Sequence, residues 1–339
     1  MDLKKTRIAW IDLLRGFAIL SIVYGHASRD RGLLAKIVYA YHVPLCVFIT
    51  GWLLSCREQS LPQHLRQSGR RLLLPYVFWS LVSMALYLLL GRLAADALGA
   101  ETYSLSFNLR FMARGLSIGN AALWYLPFLF CTQLMLYLLL RLTEGRARQK
   151  WLFQVLPLIF SPACLLLYDR TRVYLPFGLS NACFLLFFAW AAYLLKDRLS
   201  FPEEKIWLAV ILPLLGLTFF LALRFNDEVG YMCFDHSEYG RNIPVFYLTA
   251  LSACLLFTWL ARILRENRLL QWFGRNAMAI LVMHKFPVLF FQLLLGGIEK
   301  RLGSFAFLLY LTITLLSAVL CCLVGSFLRK YFPLVLGEK

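Results

Sequence analysis

Charge is scarce in this sequence. Only 16% of its 339 residues are Asp, Glu, Lys or Arg, where a soluble domain carries about a quarter. Apolar residues make up 60%, and runs near 20 residues recur from end to end, the length a helix needs to cross a bilayer core. A soluble fold is excluded. Acidic residues are the scarcer sign, 18 against 35 Lys and Arg, for a formal charge of +17. Such an excess would suit a nucleic-acid binder if it lined one amphipathic face. Here it sits in short segments between apolar runs, where positive-inside topology and anionic membrane lipids account for it. Nucleic acid is therefore not expected as a partner.

Paired cysteine spacing is lacking too. The nine cysteines include no CxxC pair, and nearly all lie in or beside apolar runs, where a thiol behaves as a small hydrophobe. Neither a disulfide framework nor a zinc site follows. Asp235 and His236 have no companions at ligand spacing, so no metal is expected. No internal repeat is evident, and the longest segment between apolar runs, 92–120, is too short for an appended soluble domain. The whole chain, 1–339, reads as one integral-membrane domain. Lys4, Lys5 and Arg7 before an apolar stretch imitate a signal peptide, but Asp12 and Arg15 interrupt its core. That segment is expected to remain as a first helix.

What is present is a series of ten apolar runs: 8–27, 33–55, 72–91, 121–140, 151–168, 177–195, 206–223, 243–261, 277–297 and 304–328. They predict an all-α, polytopic transmembrane bundle of about ten spans. With the N-terminus inside, the cytoplasmic segments hold 21 Lys and Arg and the outer segments 11. Reversing the orientation would reverse that bias, so both termini are expected in the cytoplasm.

The first run carries the residues that membrane burial penalises. Asp12, Arg15 and His26 interrupt it, and a charge at mid-helix costs about 2.5–3.5 kcal/mol on insertion scales, which makes such groups functional candidates. Eleven residues separate Arg15 from His26. At 100° per residue that is three turns plus about 20°, so both project from one face roughly 16 Å apart. Asp12, three residues before Arg15, is placed to pair with its guanidinium. The plain alternative is an interfacial ion pair with a packing histidine at the helix end. In the second run, His42 precedes Pro44, and a proline at membrane depth is tolerated where protein or a cavity re-satisfies the freed backbone. Both imidazoles sit in the outer half of their helices, which leaves two readings open: they face one pocket, or His42 only hydrogen-bonds across helices.

These residues carry a resemblance. Asp12-x-x-Arg15-Gly16, with Gly25-His26 further on, resembles the Arg-x10-His signature of the membrane acyltransferase-3 family. Tyr41-His42-Val43-Pro44-Leu45 and Phe48 to Gly51 are similar to its His-Met-Pro-Leu-Phe stretch, with Val43 in place of Met. Arg70-Arg71 before Pro75-Tyr76 resembles its basic loop, here spaced Arg66-x-x-x-Arg70-Arg71, not Arg-x-x-Arg. Leu123-Trp124-Tyr125-Leu126 resembles a Leu-Trp-Phe-Leu helix start, and Phe273-Gly274-Arg275-Asn276 with His284 resembles the late motif, with Asn276 in place of Ser. The matches run in order along nearly the whole chain. No extracytoplasmic hydrolase-like domain is present, so the likeness is to the short, membrane-only O-acetyltransferase branch.

The resemblance implies an acyl-CoA donor, acetyl-CoA, and an acceptor hydroxyl on a cell-surface polysaccharide or lipid-linked sugar, in a bacterial inner membrane. His26 would be the general base and Arg15 its catalytic companion, with Asp12 orienting Arg15. His42, Trp124 and His284 would line the substrate site, while Arg66, Arg70 and Arg71 would hold the donor's phosphates. Asp227, Glu228, Asp235, His236 and Glu238 in 224–242 offer hydrogen bonds to a sugar, or form an ordinary solvated loop. A homodimer is left open. The competing reading is a proton-coupled transporter or exporter, since intramembrane His, Arg and Asp also serve proton relays. Paired interrupted helices in two halves would favour it, and none are evident.

Overall fold

The structure, a computed structural model, describes residues 8–28, 33–53, 59–98, 104–143, 150–197, 205–225, 229–232, 237–240 and 242–338. Its regular structure over these residues is helical except for one two-stranded ribbon. The helices are α1 (Ala9–Ala27), α2 (Leu33–Leu53), α3 (Leu61–Ser68), α4 (Leu74–Leu98), α5 (Leu105–Ala113), α6 (Tyr125–Thr143), α7 (Lys150–Thr171) and α8 (Leu179–Leu195). They continue with α9 (Lys205–Phe225), α10 (Ile243–Ile263), α11 (Arg268–Arg275), α12 (Ala277–Met283), α13 (Lys285–Leu302) and α14 (Ala306–Tyr331). The ribbon pairs β1 (Val229–Met232) with β2 (Ser237–Tyr239). Where helices leave the apolar runs, polar side chains close their ends. Ser104, Asn242 and Asn267 each accept the N–H of the residue three positions on, at 3.3, 3.2 and 3.0 Å, satisfying donors that a helix start leaves free.

Among the described residues, five stretches are long and apolar enough to cross a membrane: α2, α3 running into α4, α6, α10, and the 303–331 stretch that contains α14. A sixth is the broken pair α12 and α13, bent by 58°. The run 277–297, expected as one helix, is thus interrupted at His284. Pro287 supplies a reason, because it has no N–H to give the Met283 carbonyl and its ring crowds that group. The third run also differs from expectation. Its helix begins at Leu61, and α3 joins α4 through a π turn, Gly69–Leu73. The expected outer loop 92–120 contains helix α5.

The chain packs as two compact units. The first comprises 1–49, 200–231 and 238–325. Its centre is α1, which packs against α10, α11, α12 and α13. At the α1–α11 crossing two glycines meet the opposite backbone: a Cβ on Gly16 would overlap the Leu270 carbonyl, and one on Gly274 the Asp12 carbonyl. Small residues that let backbones approach are the usual basis of helix association where water is absent. The second unit comprises 50–199, 232–237 and 326–339. There α8 packs on α6 and α7, and the C-terminal turn Pro333–Leu336 packs on α4. Trp79 Nε1 donates to the Val335 carbonyl at 3.0 Å, and the Tyr76 hydroxyl reaches the carbonyls of Met112 and Leu116 at 2.6 and 2.8 Å.

A histidine cluster as the candidate site

In the first unit, α1 runs unbroken from Ala9 to Ala27, so Arg15 and His26 project in nearly the same direction. Asp12 is buried, and its Oδ1 lies 3.3 Å from Arg15 Nη1. Arg15 keeps a side-chain exposure of 35%. Between Arg15 and His26 the stripe is closed by Ile19 and Ile22, both buried. His26 itself is partly accessible near the end of an otherwise buried stretch.

The end of α1 is held by its neighbours. A helix leaves its last four carbonyls without intrahelical partners. Here Ser28 N–H takes the Tyr24 carbonyl at 2.8 Å, and the Tyr39 hydroxyl donates to the Gly25 carbonyl at 2.7 Å. Gln292 Nε2 donates to the Ala27 carbonyl at 2.9 Å and lies 3.4 Å from that of His26. The backbone carrying His26 is therefore pinned from α2 and from α13. Lower on α1, Ser21 donates to the Phe17 carbonyl at 2.8 Å, so Tyr41 donates to Ser21 Oγ at 2.8 Å.

Three imidazoles gather at this end. The His284 ring lies 5.1 Å from that of His26, centroid to centroid, tilted by 37°. His42 and Lys285 lie within electrostatic range of His26. His42 is buried, with Tyr39 edge-on at 5.3 Å, and its Nδ1 is 2.8 Å from the Val38 carbonyl. His284 is 0% exposed, with Nδ1 2.9 Å from the Ile280 carbonyl. A carbonyl only accepts, so Nδ1 of both rings carries the hydrogen and Nε2 is left as a lone pair. Of the three, His26 is the most accessible. Such a set can accept a proton, or hydrogen bonds from a hydroxyl, at a place the surrounding protein keeps dry. Among the described residues no group of three or more His, Cys, Asp or Glu is arranged to hold a metal.

Trp124 and the three arginines belong to the second unit. Trp124 ends the 3-10 turn Ala121–Trp124 and packs on Phe128, ring centroids 5.4 Å apart. Arg66 on α3 and Arg70 and Arg71 in the π turn are exposed, while His64 and Ser68 point inward. Asp227, Glu228, Asp235 and His236 lie outside the described residues, as does the side chain of Glu238. Two contributors were not singled out from sequence. Gln292 had a readable signal, an uncharged polar group in an apolar run. Tyr39 is one turn before His42, and its use follows from the α1–α2 pairing.

A family model described as an acyltransferase domain matches residues 8–327. No curated protein and no solved structure matches the chain.

Proposed function

The chain belongs to the acyltransferase-3 family, and from that premise we propose that it moves an acetyl group from cytoplasmic acetyl-CoA to a hydroxyl of a cell-surface polysaccharide or lipid-linked sugar. The observation that carries this reading is the His26 cluster: one partly accessible imidazole beside two buried ones, on a helix end fixed by Tyr39 and Gln292. In the proposed step the free lone pair of His26 takes the proton of the acceptor hydroxyl as its oxygen attacks the thioester carbonyl. The C–O bond forms, the C–S bond breaks, and the resulting imidazolium returns the proton to the departing CoA sulfur. An unperturbed imidazole titrates near neutrality, which suits it to both roles.

Arg15, held by Asp12, and the exposed Arg66, Arg70 and Arg71 are assigned to the donor, whose phosphates and carbonyls suit guanidinium hydrogen bonds. His42, His284 and Trp124 are assigned to the substrate site. On this reading 1–339 is one multi-pass domain of about ten spans in a bacterial inner membrane, both ends cytoplasmic, with lipid as its surroundings. Purified protein given radiolabelled acetyl-CoA should release free CoA only when a suitable acceptor is added. His26→Ala should lower that release by at least about a hundredfold while still inserting. Full activity of this variant at normal expression would sink the assignment.

A proton-coupled exporter is the second reading, and the interrupted α12–α13 span favours it, since broken helices line transport sites. It predicts acceptor movement across vesicles with no CoA release.

A further inference from the structure

His284 has two ring nitrogens in unequal circumstances. Nδ1 lies 2.9 Å from the Ile280 carbonyl and 3.0 Å from that of Leu281, so it carries the ring hydrogen and helps close the end of α12. Nε2 is then a bare acceptor, fully buried and without a hydrogen-bond partner. Buried acceptors are nearly always satisfied, because leaving one dry forfeits its hydration for nothing. The ring set against this one is that of His26, 5.1 Å away between centroids. His42 has its own Nδ1 hydrogen committed to Val38. The break in the span contributes directly: with Pro287 unable to continue the α12 ladder, the chain turns at His284. The ring is thereby held on carbonyls of its own helix and set beside His26.

We infer that His284 is a positioning residue for acyl transfer, its bare Nε2 being the acceptor that the ring N–H of His26 takes up when the neighbouring imidazole turns toward it in the working enzyme. This rests on His26 being the base. The hydrogen bond fixes the hydrogen on one nitrogen of His26 and leaves the other nitrogen, with its lone pair, for the acceptor hydroxyl. It also strengthens when His26 becomes an imidazolium in the transition state, because a charged donor makes the stronger bond. His284 passes no proton onward, since its other nitrogen is held on backbone carbonyls. The interrupted span thus has a use inside an acyltransferase without any transport.

Two substitutions separate the two nitrogens. The carboxamide of His284→Asn falls where Nδ1 is, keeping a donor for the Ile280 carbonyl and deleting the Nε2 acceptor. The carboxamide of His284→Gln reaches the place of Nε2 and offers an oxygen to His26. Both should be assayed by CoA release from acetyl-CoA, normalised to folded protein recovered from the membrane. His284→Asn is expected to lower kcat about tenfold or more with the donor KM unchanged, and His284→Gln to retain more activity than Asn. Wild-type kcat in His284→Asn, or an activity of Asn equal to or above that of Gln, would overturn the inference and reduce the ring to a helix anchor. His26→Ala tells the two claims apart. If it is inactive while His284→Asn is normal, only the positioning role falls; if it is active, the base assignment falls with it.

Discussion

Asp12 and Arg15 form the residue-scale test of the donor assignment. An ion pair three residues apart on one helix needs no functional explanation when it is exposed, but here the acid is buried and the base keeps a third of its surface. Arg15 therefore keeps accessible surface beside its contact with Asp12, where the donor is proposed to meet it. A guanidinium presents five donors in a rigid plane, and a lysine presents a single flexible point charge. Arg15→Lys is thus expected to raise the donor KM at least about tenfold, since each lost charge-assisted bond is worth roughly 1.5–3 kcal/mol. Titration of CoA release against acetyl-CoA checks it, and an unaltered KM would remove Arg15 from the donor site. These two residues were legible in the sequence because a charge in an apolar run is conspicuous. Tyr39 and Gln292 were not, because their work is to satisfy the backbone of another helix. Which helix lies alongside is a property of packing that no local pattern carries. His284 was legible as a candidate, but the unequal state of its nitrogens was not, since it depends on the turn of the chain at that residue.

The elements that deliver those residues depend on close approach. Gly16 and Gly274 sit where α1 and α11 touch backbone to backbone, and a Cβ on either would strike a main-chain carbonyl, which cannot rotate away. Asp12 supplies one of those carbonyls, so forcing the helices apart also moves the partner of Arg15. Gly16→Ala and Gly274→Ala should each destabilise the protein by at least about 1–3 kcal/mol, the usual penalty of overpacking, and lower both folded yield and melting temperature. Gly216→Ala in α9 is the matched control, because nothing lies within 4 Å of a Cβ there; it should be neutral or slightly stabilising, as alanine favours a helix over glycine. Equal melting temperatures for all three would mean the α1–α11 contact is looser than described. The run that became α12 and α13 illustrates why helix limits were only partly readable. Hydropathy counts apolar residues along 277–297 and is blind to direction, whereas the 58° bend depends on one missing N–H at Pro287 and on what His284 does with the carbonyls it faces. The π turn at Gly69–Leu73 is similar: its extra residue per turn shifts where the arginines point, and no period in the sequence announces it.

At the scale of the molecule, the count of spans is a question of length against charge. Ten apolar runs in the sequence stand against five long apolar stretches and one broken pair among the described residues. The difference has physical sources: α8 has 17 residues, short of the usual span, and α1 carries Asp12 and Arg15. Helices buried against other helices can be shorter or more polar than those facing lipid, because the protein supplies their surroundings. The opposite mismatch occurs at 61–89. Its 29 residues would extend about 43 Å at 1.5 Å each, against a hydrocarbon core of about 30 Å. Some nine residues must project, and α3 is the end with a polar face, carrying Arg66 and leading to Arg70 and Arg71. If those arginines meet acetyl-CoA, they project into the cytoplasm, and the proposed ten crossings would then place both chain ends on that same side. A fluorescent protein fused after residue 339 should therefore fold and glow, as it does only in the cytoplasm of a bacterial host. Alkaline phosphatase inserted within 92–120 should be active, as it is only outside. A dark C-terminal fusion, or a silent phosphatase at full expression, would contradict the ten-crossing arrangement, and with it the claim that the donor arginines and the chain ends share one face.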